Sequence, residues 1–174
     1  GLTHKADIAT ESRAAAAGGV TTVFDMPNTR PATTDATCLL EKIKLAEGRS
    51  VTNIGFHIGA TNENASYIAG LVKNGAPEIG LKPSDIAGVK VFMGSSTGNM
   101  LVDEESTLAE LFSIREKPVL VHCEDEETIR RNTEKAIEKY GEDIPFCEHE
   151  NIRSRKACIK SSIKALEMAM KHGT

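Results

Sequence analysis

The 174-residue sequence predicts an α/β protein with a parallel sheet, because short β-branched runs alternate with longer segments of helical periodicity. Hydrophobic residues make up 40% of the chain and charged residues 26%, which is the composition of a folded domain. We therefore expect a single domain over residues 1–174, in which right-handed crossover helices connect parallel strands.

Each predicted strand is a short apolar run between turn residues, as is typical of strands buried on both faces; the strands cover residues 20–24, 53–58, 88–93 and 118–122. Capping residues and glycines delimit the predicted helices, which cover residues 4–17, 33–47, 61–73, 103–115, 124–140 and 151–172. Four such units fit either an open doubly wound sheet or about half of a (β/α)8 TIM barrel, and this choice stays open at this point.

Composition excludes several classes of function. The 21 Lys and Arg against 25 Asp and Glu give a net charge of -4, and aromatic residues are only 4%, so we expect no nucleic-acid partner and no membrane partner. No apolar run approaches the roughly 20 residues of a membrane helix, and no signal sequence is evident. The four cysteines form no Cys-x-x-Cys pair, so we expect a cytoplasmic protein without disulfides.

Two residues on neighbouring predicted strands are candidate metal ligands. Lys90 lies between Val89 and Val91, where burial would lower the pKa of its amine and let it add carbon dioxide. The resulting carbamate could bridge two divalent metals, whereas the alternative is a lysine that reaches the strand end or pairs with a carboxylate. His122 ends the fourth strand and could bind a metal through a neutral imidazole, or be a hydrogen-bonded core residue.

Other polar residues near strand ends are more ambiguous. Asn28 follows the first strand and could bind a ligand through its amide, although Asn and Pro are also common in turns. We expect His57, within the second strand, to be structural. The Gly/Ser-rich residues 94–98 could bind phosphate, but they lack the Gly-Lys-Ser/Thr ending of a P-loop.

Three segments together resemble the dihydroorotases of the cyclic amidohydrolase superfamily. Residues 25–34 are similar to the substrate-contacting segment of that family, residues 88–93 to its carboxylated-lysine strand and residues 119–124 to a metal-histidine strand. The order and spacing agree over essentially the whole chain. Asn28 directly after Met-Pro favours dihydroorotase over the related allantoinases and hydantoinases.

The resemblance implies that this chain is an interior segment of a (β/α)8 barrel that holds two zinc ions bridged by a carboxylated lysine. It makes Lys90 the bridge, His122 a ligand of one zinc and Asn28 a contact to the substrate carboxylate. The implied reaction is the reversible hydrolysis of dihydroorotate to N-carbamoyl-aspartate in pyrimidine biosynthesis. The family's His-x-His pair, its substrate arginine, its remaining metal histidine and its catalytic aspartate have no counterpart in this sequence.

We therefore expect the 174 residues to be inactive when taken alone, with the missing groups in flanking sequence or in a second chain. Two alternatives remain within the resemblance: a non-catalytic dihydroorotase-like assembly protein, and a hydantoinase or allantoinase. A third alternative is an open α/β ligand-binding domain with an unmodified Lys90 and no metal. Homo-oligomerisation is left open.

Overall fold

The structure, a computed structural model, describes residues 3–94 and 99–174. All of its described strand pairs are parallel, and their spatial order follows the chain: β1 (Thr22–Asp25), β2 (Asn53–Gly59), β3 (Ile86–Phe92) and β4 (Val119–His122). Each predicted strand is thereby confirmed to within two residues at either end.

The described helices precede, connect and follow these strands: α1 (Ile8–Ala17), α2 (Ala36–Ala46), α3 (Ala65–Asn74), α4 (Glu105–Leu111), α5 (Glu126–Tyr140), α6 (His149–Ile152) and α7 (Arg155–His172). Side chains at the N-caps explain where several of them begin. Asp7, Asp35 and Asp125 each accept a hydrogen bond from a backbone N–H in the first turn of α1, α2 and α5.

The strand order decides between the two architectures that the sequence left open. A doubly wound sheet reverses its strand order at a switch point, so that helices cover both faces. Here the order runs β1-β2-β3-β4 without reversal, so right-handed crossovers place the connecting helices on one side of the sheet. The architecture is therefore a curled half of a (β/α)8 barrel, as predicted.

The hydrophobic core lies between the sheet and these helices. Alternate strand residues enter it, including Phe56 and Ile58 of β2 and Val89 and Val91 of β3, which are at most 3% exposed. They pack against helix residues such as Leu39, Ile68 and Leu108. The remaining alternate residues project from the opposite side of the sheet, which we call the inner face because it corresponds to the barrel interior.

The predicted helix over residues 151–172 is interrupted. Arg153 has φ −89° and ψ 63°, so α6 ends at Ile152, and the Ser154 side chain caps the start of α7 by accepting from Ala157 N–H. The side of α7 that packs on the core is formed by small residues and one methionine: Ala157, Ser161, Ala165 and Met168. The larger apolar residues whose spacing predicts this helix are instead exposed: Ile159, Ile163, Leu166 and Met170. Among the described helices, none is both long and apolar enough to cross a membrane.

Candidate active site

The two candidate metal ligands project from the same face of the sheet. In the register of β3 and β4, Lys90 lies opposite Leu120, and Phe92 lies opposite His122. Because side chains alternate along a strand, Lys90 and His122 both lie on the inner face, while Val89 and Val91 enter the core. The structure thus brings together the two residues that the sequence selected, at the carboxyl end of the parallel sheet where barrel enzymes place their catalytic groups.

Lys90 is half-buried, and within the described residues no carboxylate forms an ion pair with its ammonium group. Its Nζ instead lies 4.8 Å from the centroid of the Phe92 ring. Burial lowers the pKa of Lys90 below its ordinary value of 10.5, and a smaller effect of Cys123 opposes this shift. The amine therefore loses its proton more readily than the amine of an exposed lysine.

His122 is the last residue of β4, and its side chain is 43% exposed. Its Nε2 lies 2.8 Å from Oε2 of Glu124, and the same oxygen accepts from Nη1 of Arg153. Glu124 stands out in the sequence at the end of the fourth strand, but no role was assigned to it. Arg153 was not selected, because it comes from the break between α6 and α7 and carries no local signal.

Asn28 lies just beyond β1, on an exposed turn. Buried Pro27 anchors this turn: its carbonyl oxygen accepts from the N–H groups of Thr29 and Thr33 at 2.8 and 2.9 Å. The nearby Asp25 carboxylate is held on the helix side by Lys42, whose Nζ also donates to the Met26 carbonyl. The turn is therefore fixed on both sides of Asn28. The Asn28 side chain itself is exposed, at the carboxyl end of the sheet.

His57 occupies the inner face of β2, beside the candidate metal ligands. It is 4% exposed, its ring stacks on Phe24 with centroids 5.6 Å apart, and its Cα pairs with that of Gly88 in β3. Its Nδ1 is buried and lacks a hydrogen bond of good geometry within the described residues, although the ring lies against the Gly88 backbone. Burial lowers the pKa of His57 below 6.5; a backbone contact with Gly88 opposes this shift, and the nearby Lys90 adds to it. From the sequence, His57 is expected to be structural, and nothing local indicates how its ring nitrogens are placed.

The residues present fit part of a metal site. Within residues 3–94 and 99–174 there is no group of three or more His, Cys, Asp and Glu side chains placed to hold an ion. A half-buried amine without an anion and a strand-end imidazole nevertheless share one face, and a carbamate on that amine would supply the missing anionic oxygens. The Gly/Ser-rich candidate for phosphate binding falls largely on residues 95–98, outside the described residues.

Solved structures share this fold over almost the whole chain. An L-hydantoinase from Arthrobacter aurescens matches 96% of this chain and 35% of its own length, with a TM-score of 0.80 and 24% identity. A dihydropyrimidinase from Brevibacillus agri matches the same shares with a TM-score of 0.74 and 23% identity. The chain therefore has the fold of about one third of each of these proteins. No family model matches it.

Comparison of sequences identifies a narrower group of relatives than comparison of structures does. A dihydroorotase from Methanosarcina acetivorans is 34% identical over 171 residues, which are 97% of this chain and 33% of that protein. The dihydroorotase from Methanosarcina mazei is 33% identical over 99% of this chain, and the multifunctional protein CAD from Squalus acanthias is 36% identical over 71%. This chain is thus homologous to dihydroorotases over nearly its whole length, and it spans about a third of the length of the first two relatives.

Proposed function

We propose that this chain is the part of a zinc-dependent dihydroorotase that carries the lysine bridge and one metal histidine. The observation that carries the proposal is the 34% sequence identity to a dihydroorotase over 97% of the chain. The placement of Lys90 and His122 on the inner face of adjacent strands supports it. The reaction would be the reversible hydrolysis of dihydroorotate to N-carbamoyl-aspartate, a step of pyrimidine biosynthesis.

Lys90 would hold the metals as a carbamate. Its neutral Nζ forms a bond to the carbon of carbon dioxide and releases one proton, which leaves an anionic N-carboxylate with two oxygens. The pKa of Lys90, lowered by burial, supports this role because only the unprotonated amine has the lone pair that attacks. The half-buried anionic carbamate would in turn need cationic partners, which the metal ions would provide.

His122 would ligate one zinc through a neutral imidazole nitrogen. When bound, the metal pair would supply a Lewis acid for the amide carbonyl and a water that is deprotonated near neutral pH. Asn28 would donate a hydrogen bond from its amide to the substrate carboxylate and so orient the ring. Proton transfer to the leaving nitrogen is assigned to none of the described residues, and the resemblance assigns it to an aspartate outside this sequence.

Cellular location is part of the same proposal. Cys38, Cys123, Cys147 and Cys158 are all free thiols in the structure. Free thiols are usual in a reducing compartment, which supports a cytoplasmic enzyme that acts on a small-molecule substrate.

The test is an assay of the full-length protein for dihydroorotate hydrolysis and for ring closure of N-carbamoyl-aspartate, with zinc measured in the same sample. We expect both directions of turnover, about two zinc ions per chain, and no comparable turnover of hydantoin or allantoin. Asn28→Ala should lower kcat/KM for dihydroorotate by roughly 10- to 100-fold with zinc content unchanged, because a hydrogen bond to a charged group is lost. A folded protein without zinc or turnover would be a non-catalytic homologue, and a preference for hydantoin would contradict the substrate.

A further inference from the structure

A continuous set of polar contacts leads from His122 to the break between α6 and α7. His122 Nε2 and Glu124 Oε2 are 2.8 Å apart, and Arg153 Nη1 lies 2.5 Å from the same carboxylate oxygen. The Glu124 side chain is only 14% exposed, less than its two partners at 43% and 37%. The carboxylate is therefore the most buried member of the three, and both of its neighbours donate to it.

The helix break that supplies Arg153 is itself held in place. Asn132 of α5 donates from Nδ2 to the carbonyl oxygens of Asn151 and Ile152, at 3.1 Å each. Ser154 then starts the next helix by accepting from Ala157 N–H. These contacts fix the backbone on both sides of Arg153, which places this residue within reach of Glu124.

The backbone of Glu124 is also fixed. Gly94, just after β3, packs so closely against it that a Cβ at position 94 would overlap the Glu124 carbonyl oxygen. Just before this, Met93 N–H donates to the carbonyl oxygen of His122 at 2.9 Å. The carboxylate, its backbone and its cationic partner are thus all held relative to the end of β4.

We propose that Glu124 is a positioning residue for His122 and that Arg153 holds the Glu124 side chain in its orientation. A carboxylate that accepts from Nε2–H keeps the proton on that nitrogen, so the lone pair of the imidazole is on Nδ1. Among the described residues, none forms a hydrogen bond with Nδ1 of His122. The contacts therefore select the tautomer and the ring orientation that leave Nδ1 as the metal-binding nitrogen.

This inference rests on the proposed function, since it assigns a role to Glu124 through the metal ligand His122. The competing explanation is a purely structural ion pair that attaches the α6–α7 break to β4. The two explanations differ in their effect on the metal-free imidazole. A structural pair stabilises the fold, whereas a positioning residue also sets which ring nitrogen carries the proton.

The test uses the full-length protein with Glu124→Ala, Glu124→Gln, Arg153→Ala and His122→Ala. Zinc affinity is measured by competition with a chelator, and the His122 tautomer is read from ring-nitrogen NMR shifts of the metal-free protein. We expect Glu124→Ala to weaken zinc binding by roughly 10- to 100-fold and to lose the preference for the Nε2–H tautomer. Glu124→Gln should retain part of the zinc affinity and part of the tautomer preference. The amide carbonyl oxygen of Gln still accepts from Nε2–H, although the ion pair with Arg153 is lost.

Arg153→Ala should weaken zinc binding less than Glu124→Ala, and thermal unfolding checks that each variant is folded. Arg130→Ala is the matched control, because Arg130 forms an exposed ion pair with Glu134 on α5. It should leave zinc affinity and tautomer unchanged. If His122→Ala loses zinc while Glu124→Ala keeps both affinity and tautomer, the positioning role is overturned and the proposed function survives. If His122→Ala itself keeps normal zinc affinity, the metal role of His122 and this inference fail together.

Discussion

At the scale of single residues, the chemistry depends on the environment of one amine. Lys90 is half-buried and faces the Phe92 ring rather than a carboxylate, and burial lowers its pKa. We expect the full-length protein grown with ¹³C-labelled bicarbonate to show a carbamate carbon resonance. Lys90→Ala should remove this resonance, most of the bound zinc and nearly all activity.

Lys90→Arg is the matched control for charge and size, because a guanidinium stays protonated and forms no carbamate. It should behave like Lys90→Ala in all three measurements. A resonance that persists in either variant would place the carbamate on another lysine. Normal zinc content in Lys90→Ala would exclude the bridging role.

The buried His57 predicts a pH dependence of stability. Its folded pKa is lowered by burial, whereas the unfolded chain has the ordinary value of 6.5. Below pH 6.5 the unfolded state therefore binds a proton that the folded state does not, so the free energy of unfolding falls as pH decreases, by at most about 1.4 kcal/mol per pH unit. Above pH 6.5 this contribution is complete and constant.

Urea unfolding of the full-length protein between pH 5 and 7.5 would measure this slope. His57→Gln retains a polar side chain of similar size without a titrating group, so the acid-side slope should decrease in that variant. An unchanged slope would show that other groups dominate acid sensitivity.

Sequence reasoning could locate those candidate residues whose placement follows from position along one strand. Lys90 and His122 could be predicted because an apolar strand that contains or ends in a polar residue is visible locally. Arg153 could not, because it reaches Glu124 across 29 residues, through a helix break that depends on Asn132 of another helix. The placement of the buried Nδ1 of His57 depends in the same way on the packing of three strands.

At the scale of secondary structure, close packing of strand ends makes one glycine essential. A Cβ at Gly94 would overlap the Glu124 carbonyl oxygen, a backbone atom that cannot rotate away. We expect Gly94→Ala to lower the free energy of unfolding by about 1–3 kcal/mol or more and to weaken zinc binding, since Glu124 would be displaced. Chemical denaturation and zinc titration of the full-length protein would measure both effects.

Gly70 provides the control for this substitution. It lies in the interior of α3, where an added Cβ meets no atom within 4 Å. Gly70→Ala should therefore raise stability by about 0.5–1 kcal/mol, because alanine favours helix and nothing is displaced. Equal effects of the two substitutions would contradict the packing argument.

The helices show that apolar periodicity predicts the presence of a helix but not which of its sides packs on the core. The apolar spacing of α7 correctly indicates a helix, but the side that packs on the core consists mainly of small residues such as Ala157 and Ala165. A core helix that crosses its neighbours closely favours small side chains at the contact. The break at Arg153 and Ser154 was missed because a capping serine inside a continuous periodic segment is a weak signal.

At the scale of the whole molecule, sequential strand order establishes a half-barrel and also leaves its margins uncovered. In the described chain β1 and β4 each pair with a strand on one side only. Large apolar side chains are also exposed: Phe24 on the edge strand β1 at 56%, and Leu166 and Met170 on α7 at 64% and 84%. Unpaired strand edges and exposed apolar groups favour association with other chains.

We therefore expect residues 1–174, expressed alone, to self-associate or remain partly unfolded. They should also bind fewer than two zinc ions and not hydrolyse dihydroorotate, since two zinc ions need more ligands than Lys90 and His122 supply. Light scattering, zinc analysis and the hydrolysis assay measure these outcomes, with the full-length protein as the reference. A monomeric product that unfolds cooperatively, holds two zinc ions and turns over dihydroorotate would contradict the assignment of the site. It would require the described residues to provide ligands in an arrangement that this structure does not contain.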